Sequence, residues 1–92
     1  MIDPQPASLP CWIYRSGEKN ELYLYLDAEG AFDRVPEALM RLFGTPTLVM
    51  RLELHADRPL AREDVRQVMR NLRERGYHLQ MPPAALPAVL HS

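Results

Sequence analysis

The stretch LAREDVRQVMRNLRERGYHLQMPP, residues 60–83, decides the fold of this chain. Its apolar side chains first recur every three or four residues, which is the period of a helix that buries one face: Val65, Val68, Met69 and Leu72. Gly76 stands where helices commonly end in a left-handed residue, and Tyr77, Leu79 and Met81 then alternate as the inward side of a strand. The stretch therefore predicts a helix, a glycine stop, a strand and a Pro-Pro exit.

The residues just before this stretch predict another strand. Between residues 47 and 55 the side chains alternate, and one face is apolar: Leu48, Met50, Leu52 and Leu54. With the helix and strand that follow, this segment makes a strand-helix-strand unit. If both strands belong to one sheet, we expect a right-handed crossover between parallel strands.

The N-terminal half predicts a hairpin and a short helix. Residues 11–16 and 21–27 are rich in aromatic and branched side chains and flank the polar turn at 17–20. Residues 35–44 form the helix, with proline in its first turn and glycine at its end. Its residues predicted to face the sheet are Val35, Leu39, Leu42 and Phe43.

The element order is thus ββαβαβ. Leucines and tyrosines take opposite faces of the second strand, so both faces of the sheet need cover, and two helices are available to supply it. We predict an α/β (α+β) fold with a four-stranded sheet between helices, an α/β/α sandwich. With 92 residues the chain forms one domain, residues 11–83. A proline-rich tail, 1–10, precedes it, and an apolar tail, 84–92, follows it, for which packing on the body, partner binding and disorder all stay open.

Composition narrows the class of protein. The chain is 47 % hydrophobic and 25 % charged, as ordinary globular proteins are, and no apolar run approaches the roughly 20 residues of a membrane helix. A net charge of -1 gives no overall field for nucleic acid or for an anionic membrane. A single cysteine and the absence of a signal-peptide pattern in residues 1–10 favour a cytoplasmic location.

Four segments resemble the YcgL family, a group of small bacterial proteins. They are CWIYRS at 11–16, ELYLY at 21–25, FDRVPEALMRLFGTPTLVM at 32–50 and RERGYHLQMPP at 73–83. The resemblance covers about residues 11–83 and implies an α/β/α sandwich, but it brings no catalytic residues with it. The loop at 56–59 looks shorter than in some relatives.

Aromatic and basic side chains on the two hairpin strands form a candidate binding patch. The residues that define it are Tyr14, Arg15, Tyr23 and Tyr25, with Trp12 beside them. Rings next to a guanidinium group can bind a flat or anionic ligand by stacking. The alternative, which we favour, is that the rings belong to the core and make a cation-π contact there.

Four arginines form a second candidate site on the long helix: Arg62, Arg66, Arg70 and Arg73. At 100° per residue they share one side, and such a basic ridge is able to follow a phosphate backbone. Glu63 and Glu74 lie near its edge, however, and the chain as a whole is not basic, so a solvated face is the simpler interpretation. We expect the neighbouring pair Glu63 and Asp64 to be solvated as well.

The sequence contains no recognised catalytic or metal-binding spacing. His55, Asp57, His78 and Cys11 are metal-ligand types without a ligand motif, so we predict no metal and no cofactor. We therefore predict a non-enzymatic binding or interaction module of the bacterial cytoplasm with a protein or small-molecule partner. Two alternatives stay open, a nucleic-acid-binding protein using the arginine ridge, and a thiol-based sensor or small enzyme using Cys11.

Overall fold

A computed structural model describes residues 8–83. The elements, in chain order, are β1 (Leu9–Arg15), β2 (Tyr23–Leu26), a 3₁₀ turn (Phe32–Arg34), α1 (Glu37–Phe43), β3 (Thr47–Leu54), α2 (Val65–Arg75) and β4 (Tyr77–Gln80). The predicted ββαβαβ order is confirmed. The expectations about the C-terminal tail, 84–92, lie outside the described residues. Neither helix in residues 8–83 is long and apolar enough to cross a membrane.

The four strands form one antiparallel sheet in the order β3-β1-β2-β4. β1 pairs with both β2 and β3, and β4 pairs with β2. β3 and β4 are therefore the two edges of the sheet. Since β3 and β2 both run opposite to β1, and β4 runs opposite to β2, the two edge strands also run in opposite directions.

The predicted parallel crossover between β3 and β4 is therefore wrong. Residues 55–64 separate β3 from α2, and an extended segment of that length spans up to about 33 Å, enough to bring the chain back across the molecule. Only Gly76 separates α2 from β4, so the helix folds straight back along the strand. The long connection brings the chain back before α2 begins. α2 therefore runs in the same direction as β3, and β4 runs in the opposite direction.

One face of the sheet packs against α2. Its buried core consists of Cys11, Ile13, Tyr25 and Leu54 from the strands and Val65, Val68, Met69 and Leu72 from the helix. All four helix residues chosen from the periodicity of the sequence are buried. The apolar stripe of α2 is thus what fixes this layer.

The other face packs against α1 and the 3₁₀ turn, which confirms the sandwich. The buried residues are Tyr14, Leu22, Leu24, Leu26, Val35 and Phe43. Leu39 packs against them, but Leu42, which was predicted to face the sheet, is 53 % exposed. Leu42 lies about 80° around the short helix from the line that joins Leu39 and Phe43, so it falls outside the contact.

Two strand ends differ from the prediction. β1 begins at Leu9 and includes Pro10, which pairs with Glu53 of β3. A proline is tolerated there because β2 pairs with β1 only from Trp12 onward, so this part of β1 has a neighbour on one side. At the other end Met81 was predicted to face inward but lies beyond β4 and is exposed.

Candidate functional site

An open groove lies on the α2 side of the sheet, between β3 and the segment that precedes α2. It encloses about 260 Å³. Its lining residues are Ile13, Tyr23, Tyr25, Val49, Met50, Leu52, Leu60, Ala61, Arg62 and Gln80. Aromatic, aliphatic and cationic side chains therefore meet in one concave surface.

The groove exists because α2 covers only one end of β3. Leu54, at the C-terminal end of the strand, is fully buried, whereas Val49 is 44 % and Met50 47 % exposed. α2 starts at Val65, where the Asp64 side chain caps the helix by accepting from the backbone N–H of Arg66 at 3.0 Å. The first half of β3 is left with apolar side chains in solvent.

A bulge in β3 also changes which side chains share a face. Ile13 pairs with Met50, but the next residue, Tyr14, pairs with Leu48, so Val49 is an extra residue in the ladder. Leu48 therefore lies opposite a residue of the α1-side core. Its predicted place on the same face as Met50 is wrong, because strict alternation ends at the bulge.

The floor of the groove is a rigid, neutral tyrosine. Tyr25 is buried and its hydroxyl donates to Oε1 of Gln80 at 2.7 Å. Its ring meets that of His78 edge to face at 5.4 Å. Burial, with the charge of Glu63 as a smaller cause, raises the pKa of Tyr25 to about 12. The phenol is therefore uncharged at neutral pH, and Tyr23 beside it is half-buried.

The wall of the groove carries the cationic group of Arg62. Its Nη1 lies 3.0 Å from Oε1 of Glu21, and both side chains are largely exposed, 42 % and 55 %. Exposed ion pairs of this kind stabilise a protein by about 1 kcal/mol or less. The guanidinium is therefore free to exchange Glu21 for the carboxylate of a ligand at low cost.

A buried polar network holds this wall in place. Nε2 of His78 is 2.6 Å from Oε1 of Glu63, and Nδ1 of His78 is 2.9 Å from Nδ2 of Asn71. Oδ1 of Asn71 accepts from Gln67 at 3.0 Å, which leaves the amide nitrogen of Asn71 to donate to His78. Since Nδ1 accepts from Asn71, the Nε2–H of His78 donates to the carboxylate of Glu63.

Sequence reasoning missed this network. Glu63 was predicted to be solvated, but its side chain is 21 % exposed and bonded to His78, while Asp64 is the helix cap. In the sequence, His78 and Gln80 alternate with Tyr77 and Leu79 in β4, but this alternation does not identify Glu63 as the partner of His78. His78 and Gln80 face the α2 side of the sheet and are buried, whereas Tyr77 and Leu79 are only partly buried.

The hairpin residues chosen from the sequence divide between the two faces of the sheet. Tyr23 and Tyr25 line the groove, and Arg15, which pairs with Tyr23 across the ladder, is exposed next to it. Tyr14 is on the opposite face, where its hydroxyl accepts from the N–H of Gly30 at 2.9 Å and its ring meets Phe32 at 4.7 Å. Tyr14 therefore belongs to the α1-side core and has no place in the groove.

The cation-π contact expected in the hairpin exists with a different arginine. Trp12 packs against the α1-side core, and the guanidinium of Arg51, on β3, lies 5.2 Å from the centre of its ring. Arg15 is not its partner, because Arg15 and Trp12 are on opposite faces of β1.

The arginine ridge does not form as predicted. Arg62 precedes α2, which begins only at Val65, and turns toward Glu21. Arg66 and Arg73 are exposed on the helix, and Arg70 donates to the side chain of Gln67 at 2.8 Å. The four guanidinium groups therefore do not follow one helical line.

Cys11 is fully buried in the α2-side core. Burial raises the pKa of its thiol from 9.0 to about 11. The thiol is thus protonated at neutral pH and out of reach of solvent, the opposite of the environment that activates a cysteine. Among residues 8–83, no three His, Cys, Asp or Glu side chains lie close enough together to hold a metal ion.

A larger hollow of about 470 Å³ lies beside the start of α2 and is open to solvent. It is lined by Ala56, Asp57, Pro59, Leu60, Glu63, Asp64, Val65 and Arg66. It contains no aromatic side chain, and its acidic residues include the helix cap and a member of the buried network. We take the smaller groove as the candidate site because it brings aromatic and cationic side chains together with the exposed apolar side chain of Met50.

The fold is that of a small α/β/α domain, and its groove is lined by aromatic and cationic side chains. A model of the YcgL domain matches residues 11–83. A YcgL domain-containing protein of Stutzerimonas stutzeri is 51 % identical over 76 residues, which are 83 % of this chain and 78 % of that protein. One of Pseudomonas putida is 59 % identical over 75 residues, 80 % of this chain and 76 % of that protein.

A YcgL domain-containing protein of Pseudomonas aeruginosa is 49 % identical over 81 residues, which are 88 % of this chain and 84 % of that protein. The chain belongs to the YcgL domain family, which confirms the resemblance seen in its motifs. The names of these relatives state a domain and give no activity.

Proposed function

We propose that this chain is a non-enzymatic binding module that takes an apolar peptide segment carrying a carboxylate group into the groove beside β3. The observation that carries the proposal is that Tyr23, Tyr25 and Arg62 line one groove together with the exposed side chain of Met50. Apolar side chains of the peptide cover Met50 and Tyr23, and its carboxylate replaces Glu21 on Arg62.

Charge and rigidity support this class of ligand. Arg15 has no ion-pair partner among residues 8–83 and adds a second cation next to Tyr23. Tyr25 is held by Gln80, and the Glu63–His78 bond holds the segment that carries Arg62. A site whose walls are fixed before binding loses little conformational entropy when a ligand enters.

We place this module in the bacterial cytoplasm. Its relatives come from bacteria, and the unpaired, buried Cys11 is compatible with a reducing compartment. No second function is put forward, because Arg62 stands apart from the helix arginines that a nucleic-acid interface needs, and the burial of Cys11 argues against thiol chemistry.

Peptides selected from a random library on the immobilised chain test the proposal. We expect them to combine apolar residues with Asp or Glu and to shift the amide resonances of residues 49–52 and 60–62 in NMR titrations. Met50→Asp is expected to weaken binding at least about tenfold, as loss of an apolar contact at the centre of an interface does. Arg62→Ala is expected to weaken the binding of an acidic peptide and to leave unchanged the binding of its Asn or Gln analogue.

Leu42→Asp is the matched control, because Leu42 is an equally exposed apolar side chain, 53 %, on the opposite layer of the sandwich. It should bind the selected peptides as the wild type does. Selected peptides that perturb a different surface, or binding that Met50→Asp leaves intact, would refute the groove as the site.

A further inference from the structure

The free edge of β3 has features of an interface that the groove does not use. Within residues 8–83, β3 pairs only with β1, so in this part of the chain its other side presents backbone groups without a strand partner. The backbone carbonyl of Glu53 accepts from Nη1 of Arg58 at 3.4 Å, and Pro10, opposite Glu53 in β1, has no N–H to offer it. Both observations indicate that Glu53, and with it Arg51 two residues earlier, turns its backbone groups to the free edge.

The regular part of β3 is complementary to itself. The bulge at Val49 limits the even ladder with β1 to residues 50–54, whose sequence is MRLEL. If a second copy pairs antiparallel with Leu52 on the two-fold axis, Arg51 faces Glu53 on both sides of the axis. Arg51 and Glu53 then exchange backbone hydrogen bonds as well, since both turn these groups outward.

Other registers lack this match. A two-fold axis at Arg51 places the two Arg51 side chains directly opposite each other, and one at Met50 places Arg51 opposite Val49 and runs across the bulge. Within one chain Nη2 of Arg51 already bonds Oε2 of Glu53 at 2.6 Å, with both side chains about half exposed. In the dimer, the guanidinium group of Arg51 exchanges this partner for the carboxylate of Glu53 in the second copy.

We propose that two copies of this chain associate through antiparallel pairing of β3 with β3 about an axis at Leu52, which joins the two sheets into one of eight strands. The edge is guarded weakly, because the contact from Arg58 to the Glu53 carbonyl is long and exposed. A ladder this short buries less than the roughly 1,200 Å² of a standard stable interface, so the dimer is reversible and depends on concentration.

Sedimentation velocity of the full chain over a range of concentrations up to millimolar tests the interface. We expect a monomer-dimer equilibrium for the wild type. Arg51→Glu and Glu53→Arg each place like charges opposite one another twice and should raise the dimer dissociation constant by about tenfold or more. The charge-swapped pair Arg51→Glu with Glu53→Arg should return it to within a few-fold of the wild-type value.

Two further variants test an expected increase in dimer affinity and provide a control. Arg58→Ala removes the competing donor at Glu53 and should tighten the dimer. Arg41→Glu makes the same charge change as Arg51→Glu at an exposed ion pair of α1, with Glu37, and should leave dimerisation unchanged. Circular dichroism of each variant establishes that it is folded before it is compared.

Three results would overturn the interface: a wild type that is monomeric at every concentration, Arg51→Glu dimerising as the wild type does, or a charge swap that fails to restore association. None of these affects peptide binding in the groove, which depends on Met50 and Arg62. Failure of the dimer and failure of the binding module are therefore separate outcomes.

Discussion

Ser16 shows how a single side chain joins two elements of this fold. Its Oγ donates to the backbone carbonyl of Phe43 at 2.5 Å and accepts from the N–H groups of Glu18 and Lys19 at 3.0 and 2.9 Å. The hydroxyl thus closes the hairpin turn and binds it to the end of α1. A Cβ on Gly17 would lie 2.7 Å from the carbonyl oxygen of Thr45, so this turn needs glycine for close approach. The Ser-Gly step after β1 is structural.

Cys11 gives a prediction about alkaline stability. Its pKa is 9.0 when exposed and about 11 in the fold, so the unfolded chain loses the thiol proton first as pH rises. The stabilisation is complete below pH 9 and is lost as pH rises through 11. Between pH 8 and pH 10 the wild type should lose about 1.4 kcal/mol of stability relative to Cys11→Ala.

Urea unfolding of the wild type and of Cys11→Ala at both pH values measures this difference. Tyr25, whose pKa is raised mainly by burial, is present in both proteins, so the larger part of its effect cancels in the comparison; Cys11 itself is a smaller cause of that shift. Stability curves that stay parallel from pH 8 to pH 10 would contradict the buried, protonated thiol.

At the scale of the elements, both ends of α2 are fixed by side-chain and backbone chemistry visible in the sequence. Asp64 caps its start, and Gly76 ends it with φ 86° and ψ -1°, donating its N–H to the carbonyl of Leu72 at 2.9 Å. The Glu63–His78 hydrogen bond then ties the residue before the cap to β4. α2 and β4 therefore form one unit, and the groove wall is attached to it.

Gly76→Val tests the end of α2. A β-branched residue in the left-handed region should cost about 1–2 kcal/mol of stability. The new Cβ also meets the side chain of Arg34, which is half exposed and pairs with Asp27. Gly76→Asn is the matched variant, because it displaces Arg34 in the same way but tolerates a positive φ.

We expect Gly76→Val to be less stable than Gly76→Asn by about 1 kcal/mol in urea unfolding. Equal midpoints for the two variants would mean that the contact with Arg34, and not the backbone conformation, is what requires glycine at this position.

At the scale of the whole molecule, the two cores share the strands between them. β1 contributes Cys11 and Ile13 to the α2 side and Tyr14 to the α1 side, and β2 divides in the same way. If either helix detaches, it exposes apolar side chains of strands that also form the other core. The domain should therefore unfold as one cooperative unit.

Leu72→Ala tests this coupling. Leu72 is buried under α2, whereas the fluorescent Trp12 packs on the α1 side. Truncating a buried leucine costs about 2–5 kcal/mol. The urea midpoint followed by Trp12 fluorescence should fall together with the midpoint followed by far-ultraviolet circular dichroism.

Leu42→Ala provides the control, since this leucine is exposed on α1 and its loss should change stability by no more than about 0.5 kcal/mol. A Trp12 transition that stays at the wild-type midpoint in Leu72→Ala, while circular dichroism shifts, would show that the two layers unfold separately.

The sequence by itself determined the element order, the buried stripe of α2 and the glycine stop at Gly76, because period and cap chemistry are local. It also supplied the tyrosines and the arginine of the groove. Tertiary structure alone decided that β3 and β4 are opposite, antiparallel edges, that Tyr14 leaves the groove, and that Glu63 is bonded to His78. These depend on the path of a long loop, on a bulge and on contacts between distant residues, which no local pattern in the sequence encodes.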